Sequence, residues 1–420
     1  MSLPVDAAAP IEAATAAASA RPPALAAQPY RWVVLAVAFA AFLVTFLDRL
    51  AWANANLSAS KSLDISIAAL GVFVTAFYAG YVSASALGGF VADRIGPRRM
   101  LFLALAPLAV ATFLFGFTSS FVMGVALQGL MGLFAGADYA ACVKIVAAWF
   151  GSAERGRAFG LFSTAPSIGV TLANATFPAL LGLFDWHLLY RGLGCLTAVV
   201  ALSCLSLLAD SPTREGQGAN DAAPAAPRPH ASRLFRDRNL VLIAVAGFGA
   251  NWGTWGFAFW ATALMIRGYQ LSAVDAGLVA VIFGAAAAVS KPLYGLLSDL
   301  LGGKRRNLVI YDLLALSAML MIFGQMDSRI GFILAAPLLG LTAVVYSPLL
   351  AAMITERVEP SLVATATGMI NALWQLGSVI VPSVVGIMFA ATGSFQSAFA
   401  ILAAGPLVAT FCMLAVREQS

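Results

Sequence analysis

The sequence predicts an all-α membrane protein with twelve transmembrane helices, arranged as two six-helix bundles related by pseudo-two-fold symmetry. Its 420 residues are 61% hydrophobic and 10% charged, whereas soluble proteins carry about 25% charged residues. Apolar runs long enough to cross a bilayer recur along the chain. One short polar pattern occurs in each half, which indicates an internal duplication. The composition therefore excludes an ordinary soluble protein.

The apolar runs can be laid out as twelve spans, because roughly 20 residues of helix cross about 30 Å of hydrocarbon. Numbered span 1 to span 12 in chain order, they lie near 31–53, 68–92, 99–117, 120–147, 157–181, 189–209, 239–266, 274–298, 307–325, 330–354, 363–390 and 395–416. This layout predicts an N-terminal six-helix bundle at 31–209 and a C-terminal six-helix bundle at 239–416.

Three polar or small-residue segments lie outside the bundles. Residues 1–30 are rich in alanine and proline without the charge pattern of a signal peptide, so they are predicted to form a disordered cytoplasmic tail. Residues 210–238 have a similar composition with several arginines, and are predicted to form a cytoplasmic linker. Residues 417–420 form a short cytoplasmic tail.

Lysine and arginine lie mainly on one side of this layout, in the linker and in the turns that share a side with both termini. The positive-inside rule therefore predicts cytoplasmic termini and a multi-pass protein of the cell inner (plasma) membrane. The net charge of +5 reflects this asymmetry, so lipid headgroups of the bilayer are the expected counterions and nucleic acid is not an expected partner.

Enzymatic chemistry is not predicted. The two histidines, His187 at a helix start and His230 in the linker, provide no triad or metal cluster. The four cysteines fall inside predicted spans without a C-x-x-C spacing, which argues against a disulfide framework and a zinc site. No metal or organic cofactor is expected.

The repeated pattern reads GFVADRIGPRR at 89–99 and GLLSDLLGGKRR at 295–306. Glycine, aspartate and glycine keep the same offsets in both copies, and each copy ends one apolar run and precedes another. Each is therefore predicted to form a tight basic turn between two membrane helices.

A twelve-span chain with this pattern after spans 2 and 8 resembles the major facilitator superfamily over nearly its whole length. The resemblance implies the major facilitator fold, transport by alternating access, and a monomer. It also implies that the repeated pattern forms a cytoplasmic latch that opens and closes. Solvated helix ends are the alternative for the two aspartates. The gating residues so predicted are Gly89, Asp93, Arg94, Gly96, Arg98, Gly295, Asp299 and Arg305.

Ionisable residues inside predicted spans are expected to face a wet cavity or one another, because each costs about 2.5–3.5 kcal/mol at the bilayer centre. Three cations and two carboxylates meet this description, and the balance favours an anionic substrate. They are Asp48, Arg49, Asp138, Lys144 and Lys291.

Span 1 resembles the D-R-x-N-L-S pattern of the anion:cation symporter branch, in interrupted form. The resemblance implies proton coupling by Asp48 and substrate binding by Arg49, with a solvated helix end as the alternative. That branch carries an arginine and a glutamate in span 4, where this chain has Gln128 and Ala135. The missing arginine argues against the branch's sugar-acid substrates.

Asp138 lies three residues after Ala135, on nearly the same helix face. It is predicted to replace the branch's glutamate in proton coupling. The alternative is a structural ion pair with Lys291 or Lys144.

Span 8 resembles the R-P-x-x-G-x-x-x-D segment of monocarboxylate and oxalate transporters, with lysine in place of arginine. The resemblance implies that Lys291 binds a substrate carboxylate. Other predicted substrate-binding residues are polar or aromatic side chains inside spans, for which helix packing is the alternative. They are Tyr78, Tyr81, Gln128, Asn251, Trp252, Trp255, Tyr346, Asn371 and Gln375.

These observations lead to the hypothesis of a secondary transporter that takes up a small organic carboxylate, mono- or dicarboxylate, by symport with protons as the coupling ion. The first alternative is a drug/proton antiporter that exports lipophilic compounds, which should present carboxylates to its cavity. The second is a non-transporting receptor of similar fold, which should carry an added signalling domain.

Overall fold

The computed structural model describes residues 29–65, 70–210, 234, 236–301 and 304–417, and within these ranges the regular structure is helical without strands. Almost all of the tail predicted at 1–30 and of the linker predicted at 210–238 lies outside the described residues. The same holds for most of the tail at 417–420.

Fifteen α-helices in the described part form twelve segments long and apolar enough to cross a membrane. They confirm the twelve predicted spans. In chain order the helices are Tyr30–Ser62, Leu70–Ile95, Pro97–Phe115, Phe121–Ala135, Asp138–Trp149, Arg155–Phe162, Ala165–Leu183, Trp186–Leu207, Arg238–Tyr269, Ala273–Leu300, Arg305–Phe323, Arg329–Thr342, Tyr346–Arg357, Val363–Thr392 and Phe395–Ala415.

Spans 4, 5 and 10 differ from the continuous helices that the sequence predicts, because each is built from two helices. Span 4 is interrupted at 136–137, span 5 at 163–164 and span 10 at 343–345. At the span 10 break, the Ala343 carbonyl accepts a hydrogen bond from the Thr254 hydroxyl of span 7. Such breaks are tolerated in a membrane where protein groups satisfy the freed backbone.

The buried apolar residues of the described part form one cluster centred on spans 1–6 and two clusters within spans 7–12. The core of spans 1–6 includes a stacked pair of rings, Trp52 and Phe73, with centroids 4.3 Å apart. In spans 7–12, Phe323 stacks on Phe399 at 5.4 Å. Because the main clusters lie within one half or the other, the halves can move relative to each other without repacking either interior.

The end of the molecule where span 2 stops at Ile95 and span 11 begins at Val363 is called the latch end below. Positive-inside asymmetry predicts that it faces the cytoplasm. We expect a fluorescent protein fused after Arg417 to fluoresce in cells, and alkaline phosphatase fused there to be inactive. Phosphatase inserted at 63–65, between spans 1 and 2, should be active. The reverse pattern would overturn the predicted orientation.

Candidate functional site

The carboxylate of Asp93 in span 2 binds the start of span 11 in the opposite half. Its two oxygens accept hydrogen bonds from the backbone N–H groups of Ala364 at 3.1 Å and Thr365 at 2.6 Å. The Lys144 ammonium of span 4 lies 2.7 Å from the same carboxylate. Because the first N–H groups of a helix have no intrahelical acceptor, a carboxylate placed there is favoured by both hydrogen bonding and the helix dipole.

Asp299 makes the equivalent contact in the other direction. This span 8 carboxylate accepts hydrogen bonds from Gly156 at 3.0 Å and Arg157 at 2.7 Å, at the start of span 5. Arg305 lies 3.3 Å from it. The side chains of Asp93 and Asp299 are 6% and 9% exposed, so neither is a solvated helix end. The repeated pattern therefore forms two pseudo-symmetric contacts between the halves.

Glycines allow the backbones to meet at both contacts. A Cβ atom on Gly89 would lie 2.0 Å from the Ala364 carbonyl oxygen, and one on Gly295 would lie 2.5 Å from the Gly156 carbonyl oxygen. Both distances are far below van der Waals contact. A side chain at either position is thus incompatible with this closed arrangement.

The remaining gating candidates fall into two groups. Arg305 is buried beneath the contact, where it pairs with Glu356 and donates to the Ser152 carbonyl oxygen at 3.0 Å. Arg98 instead bonds within the N-terminal half, where its backbone N–H donates to Asp210 at 2.8 Å.

Gly96 lies against the same Asp210 carboxylate with a φ of 89°, a conformation suited to glycine. Arg94 is exposed and stacks on Phe90 at 3.9 Å. In this conformation Arg94, Gly96 and Arg98 do not bridge the halves through these contacts.

A cavity of about 100 Å³, partly open to solvent, lies between the halves above the latch end. Eight of the predicted substrate-binding residues line it, and the structure thereby brings together residues from both halves. They are Arg49, Tyr81, Asn251, Trp255, Lys291, Tyr346, Asn371 and Gln375.

The Arg49 guanidinium is the cation that the N-terminal half contributes to the cavity. It bonds to the Tyr78 hydroxyl and lies over the rings of Tyr78, Tyr81 and Trp255 at 4.7, 5.5 and 5.6 Å from their centroids. Tyr78 is not among the lining residues but orients this cation. Aromatic faces stabilise a desolvated guanidinium by about 2 kcal/mol.

Lys291 is the cation that the C-terminal half contributes. Its ammonium reaches across to span 5 and donates to the Ser163 carbonyl oxygen at 2.6 Å and the Ser167 hydroxyl at 3.3 Å. Ser163 lies at the span 5 break, where the helix leaves a carbonyl available. Lys291 therefore both lines the cavity and holds the two halves together.

A chain of hydrogen bonds joins polar residues of three spans on the C-terminal wall. The Tyr346 hydroxyl donates to the Asn251 side-chain oxygen at 2.6 Å, and the Asn251 amide donates to Gln375 at 3.5 Å. Nearby, the Asn371 amide donates to Ser85 of the opposite half at 3.4 Å. The wall can offer both hydrogen-bond donors and acceptors to a bound molecule.

Two predicted substrate-binding residues lie away from the cavity. Trp252 donates its indole N–H to the Ile401 carbonyl oxygen of span 12 at 3.0 Å. Asn251 and Trp255, four residues apart, share the cavity face instead. Gln128 is buried inside the N-terminal half, beside Tyr190.

Asp48 also points into the N-terminal half. One carboxylate oxygen accepts a hydrogen bond from Thr197 at 2.9 Å, and the other has no hydrogen-bond partner among the described residues. Arg49, one residue later, faces the cavity because consecutive helical residues point about 100° apart. Asp48 is thus buried in protein and is not a solvated helix end.

Asp138 is fully buried at the start of the second helix of span 4. Thr45 lies beside it, but the Thr45 hydroxyl donates to the Ala41 carbonyl oxygen at 2.9 Å. Neither Asp138 oxygen has a hydrogen-bond partner among the described residues. The ion pairs considered for it with Lys144 or Lys291 are not formed, because those ammonium groups bind Asp93 and Ser163.

Sequence reasoning missed several residues of the site. Trp374, Tyr139 and Thr254 line the cavity without having been predicted. Asp312 of span 9 is buried and both its oxygens lack a partner among the described residues. Asp312 could have been found from the sequence, because it is a charged residue inside the predicted span 307–325.

Comparison with known proteins supports this architecture. The family model described as Major Facilitator Superfamily matches residues 37–382 and 263–420. The chain belongs to the major facilitator superfamily. Members are transporters, so the chain is of the transporter type and not an enzyme.

Curated relatives of the superfamily match almost end to end. The probable galactarate/D-glucarate transporter GarP of Escherichia coli K12 is 23% identical over 92% of this chain and 94% of its own length. The putative tartrate transporter of Agrobacterium vitis is 21% identical over 90% of this chain and 88% of its own length.

Solved structures of the superfamily show the same fold. The human organic anion transporter MFSD10 has a TM-score of 0.75 at 19% identity, covering 92% of this chain and all of that chain. FucP in the outward conformation has a TM-score of 0.74 at 15% identity, covering 93% of this chain and all of that chain. The major facilitator fold predicted from the sequence is confirmed.

Replacing Gly89 with alanine should open the latch end. Overpacking costs about 1–3 kcal/mol, so the population of the closed conformation should fall about tenfold relative to the open one. Nitroxides at Gly151 and Leu301, exposed positions in opposite halves at this end, report the change by double electron–electron resonance in a cysteine-free background.

The matched control is Gly71→Ala in the same span, where an added Cβ meets nothing within 4 Å. Longer distances are expected in Gly89→Ala and not in Gly71→Ala. Identical distance distributions in both variants would show that the glycine contact does not hold the latch closed.

Proposed function

We propose that this protein takes up a small organic carboxylate together with protons, across a cell inner membrane, by alternating access of its two halves. The observation that carries the proposal is the cavity between the halves, in which Arg49 and Lys291 supply one cation from each side. The protein is expected to act as a monomer with both termini in the cytoplasm.

The charge of the cavity favours an anion. No aspartate or glutamate is among the described residues that line it, whereas Arg49 and Lys291 both do. An exporter of lipophilic cations would need the opposite arrangement, with carboxylates facing the substrate. Trp255 and Tyr81 would shield a bound anion from water, which strengthens its attraction to the cations.

A hydroxylated dicarboxylate suits the site best. Two cations, one contributed by each half, match two carboxylates, and Asn251, Asn371 and Gln375 can bond to hydroxyl groups. The names of the relatives GarP and the Agrobacterium vitis transporter, which refer to galactarate, D-glucarate and tartrate, point to the same class. Gln128 lies outside the cavity, so its replacement of an arginine no longer argues against sugar acids.

Lys291 offers a way to link substrate binding to opening. In the closed arrangement its ammonium is held by the Ser163 carbonyl oxygen and the Ser167 hydroxyl. A substrate carboxylate is a stronger acceptor than a neutral carbonyl and would draw the ammonium away from span 5. Spans 5 and 8 would then keep the hydrogen bonds of Asp299 and the glycine contact but lose those of Lys291, which favours opening of the latch end.

Asp138 is the proposed carrier of the coupled proton. An ionised carboxylate buried without a hydrogen-bond donor is strongly disfavoured, so the protonated form fits its present surroundings. When the latch end opens, water reaching span 4 would stabilise the ionised form and release the proton to the cytoplasm. Asp48 is proposed as a second proton carrier within the same half, since only one of its carboxylate oxygens accepts a hydrogen bond among the described residues, from Thr197.

Lys291→Gln should weaken binding of galactarate and tartrate by about tenfold to a hundredfold, because a charge-assisted hydrogen bond contributes about 1.5–3 kcal/mol. A thermal-shift titration of the purified protein measures this, since ligand at 100 times its Kd stabilises by about 2.7 kcal/mol. Lys291→Arg keeps the charge and should lose less.

Lys61→Gln, at the exposed end of span 1, is the matched control and should bind as the original protein does. Equal affinity in Lys291→Gln would remove Lys291 from the site. Stabilisation by lipophilic cations and not by carboxylates would favour the exporter instead.

Asp138→Asn should abolish accumulation of substrate driven by a pH gradient but spare counterflow exchange, because an amide cannot release a proton. Both are measured as labelled galactarate or tartrate uptake into proteoliposomes. Asp64→Asn is the control, since Asp64 lies exposed in a loop with a φ of 50° that asparagine also adopts. Full pH-driven accumulation by Asp138→Asn would refute the assignment.

A further inference from the structure

Asp312 is a buried carboxyl group for which the mechanism above has no use. It lies in span 9, two helical turns and roughly 10 Å beyond Arg305 at the latch end. The residue is 3% exposed, and neither oxygen has a hydrogen-bond partner among the described residues. An unpaired carboxylate at this depth costs several kcal/mol, so a helix would not retain it for packing alone.

The Asp312 carboxyl group faces the break in span 10. It lies next to the backbone N–H of Tyr346, the first residue of the second helix of that span, although no hydrogen bond of normal geometry forms. The carbonyl on the other side of the break, that of Ala343, is satisfied by Thr254. Asp312 therefore lies beside the start of a helix inside the membrane.

The surroundings of Asp312 contain no compensating cation among the described residues. The titratable side chains near it are the phenols of Tyr294 in span 8 and Tyr346 in span 10. Span 7 between Asn239 and Ile266 contains no charged residue, and the ionisable side chain of span 12 between Phe395 and Ala415 is Cys412. Because no cation compensates its charge here, the Asp312 carboxylate is expected to be neutralised by binding a proton.

The two halves repeat this arrangement. In span 4 the buried Asp138 begins the second helix, and the next residue, Tyr139, lines the cavity. In span 10 the second helix begins with Tyr346, which lines the cavity, and Asp312 lies behind it. Each half thus places one unpaired carboxyl group behind a cavity-lining tyrosine, at the break of a helix.

We propose that Asp312 is a further proton-binding residue, protonated while the latch end is closed and ionised once it opens. The proposal rests on the transport function above and adds a proton site in the C-terminal half. Asp312 communicates with the cavity through Tyr346, whose hydroxyl bonds to Asn251.

Span 9 also connects Asp312 to the latch. Arg305, its first residue, contacts Asp299 of span 8, Glu356 at the end of span 10 and the Ser152 carbonyl of the opposite half. When these contacts break, the latch-end halves of spans 9 and 10 become accessible to water. Hydration then stabilises the Asp312 carboxylate, and its proton leaves to water on that side.

Infrared difference spectroscopy during a pH titration tests the proposal on the full chain in liposomes without any substrate. The original protein should show the carbonyl stretch of a protonated carboxylic acid that disappears as the pH rises. The component of this band that comes from Asp312 should be absent in Asp312→Asn, shifted in Asp312→Glu and unchanged in the surface control Asp64→Asn, while the components from Asp48 and Asp138 persist in all three variants. An unaltered band in both Asp312 variants would overturn the proposal.

A second infrared titration tests whether Asp312 responds to opening of the latch end. Combining the titration with Gly89→Ala, which opens the latch end, should move the disappearance of the Asp312 band to lower pH, because water favours the ionised form. Gly71→Ala should leave it in place. An identical titration in both glycine variants would show that Asp312 does not respond to the latch.

Proteoliposome uptake of labelled galactarate and tartrate then tests coupling. Asp312→Asn should lose accumulation driven by a pH gradient and keep exchange, and full accumulation would overturn a coupling role. If the original protein transports neither compound, the proposed substrate class fails, while the infrared titration still decides whether Asp312 binds a proton. If Asp312→Asn does not fold, the shifted infrared band of Asp312→Glu still decides whether residue 312 binds a proton.

Discussion

The closed conformation depends on two carboxylates that each cap the start of a helix in the opposite half. Asp93 binds the start of span 11 and Asp299 the start of span 5. Each interaction combines two backbone hydrogen bonds with the favourable end of a helix dipole, and glycines let the backbones approach closely enough to form it. Because these partners come from different halves, the contacts must break for the halves to separate at this end. Access to the cavity from the latch end is consequently tied to the geometry of two aspartates.

Inside the membrane, the buried cations have partners that stabilise their charge, whereas two of the buried acids do not. Arg49 is stabilised by aromatic rings, Lys291 by a carbonyl oxygen and Lys144 by the Asp93 carboxylate. Asp138 and Asp312 have no such partners among the described residues. The guanidinium of Arg49 stays charged at this depth and each lysine has an acceptor for its ammonium, whereas a carboxylate without a donor can be neutralised by binding a proton. The cations are therefore suited to hold an anion, and the buried acids are suited to exchange protons with water.

The sequence predicted the architecture well because its signals are local. Apolar runs defined twelve spans, and the two copies of the pattern at 89–99 and 295–306 marked pseudo-symmetric turns. It predicted less of the site, since the direction of a side chain depends on which helices pack together. Trp252 turns toward span 12, and Asp48 lies in the interior of its bundle instead of the cavity. The helix breaks were missed because apolar residues continue through them, and Asp312 was overlooked although its charge lay inside a predicted span.

The breaks in spans 4 and 10 connect proton binding to substrate binding. A broken membrane helix exposes backbone groups that must be satisfied within the protein, and the start of its second piece carries a partial positive charge. In each half a carboxyl group lies at that start, and a tyrosine beside it lines the cavity. Loss of a proton would place a negative charge at the break and strengthen its attraction to the helix start. The adjoining tyrosine would then shift with the helix, so the same two breaks would adjust the cavity wall from both halves.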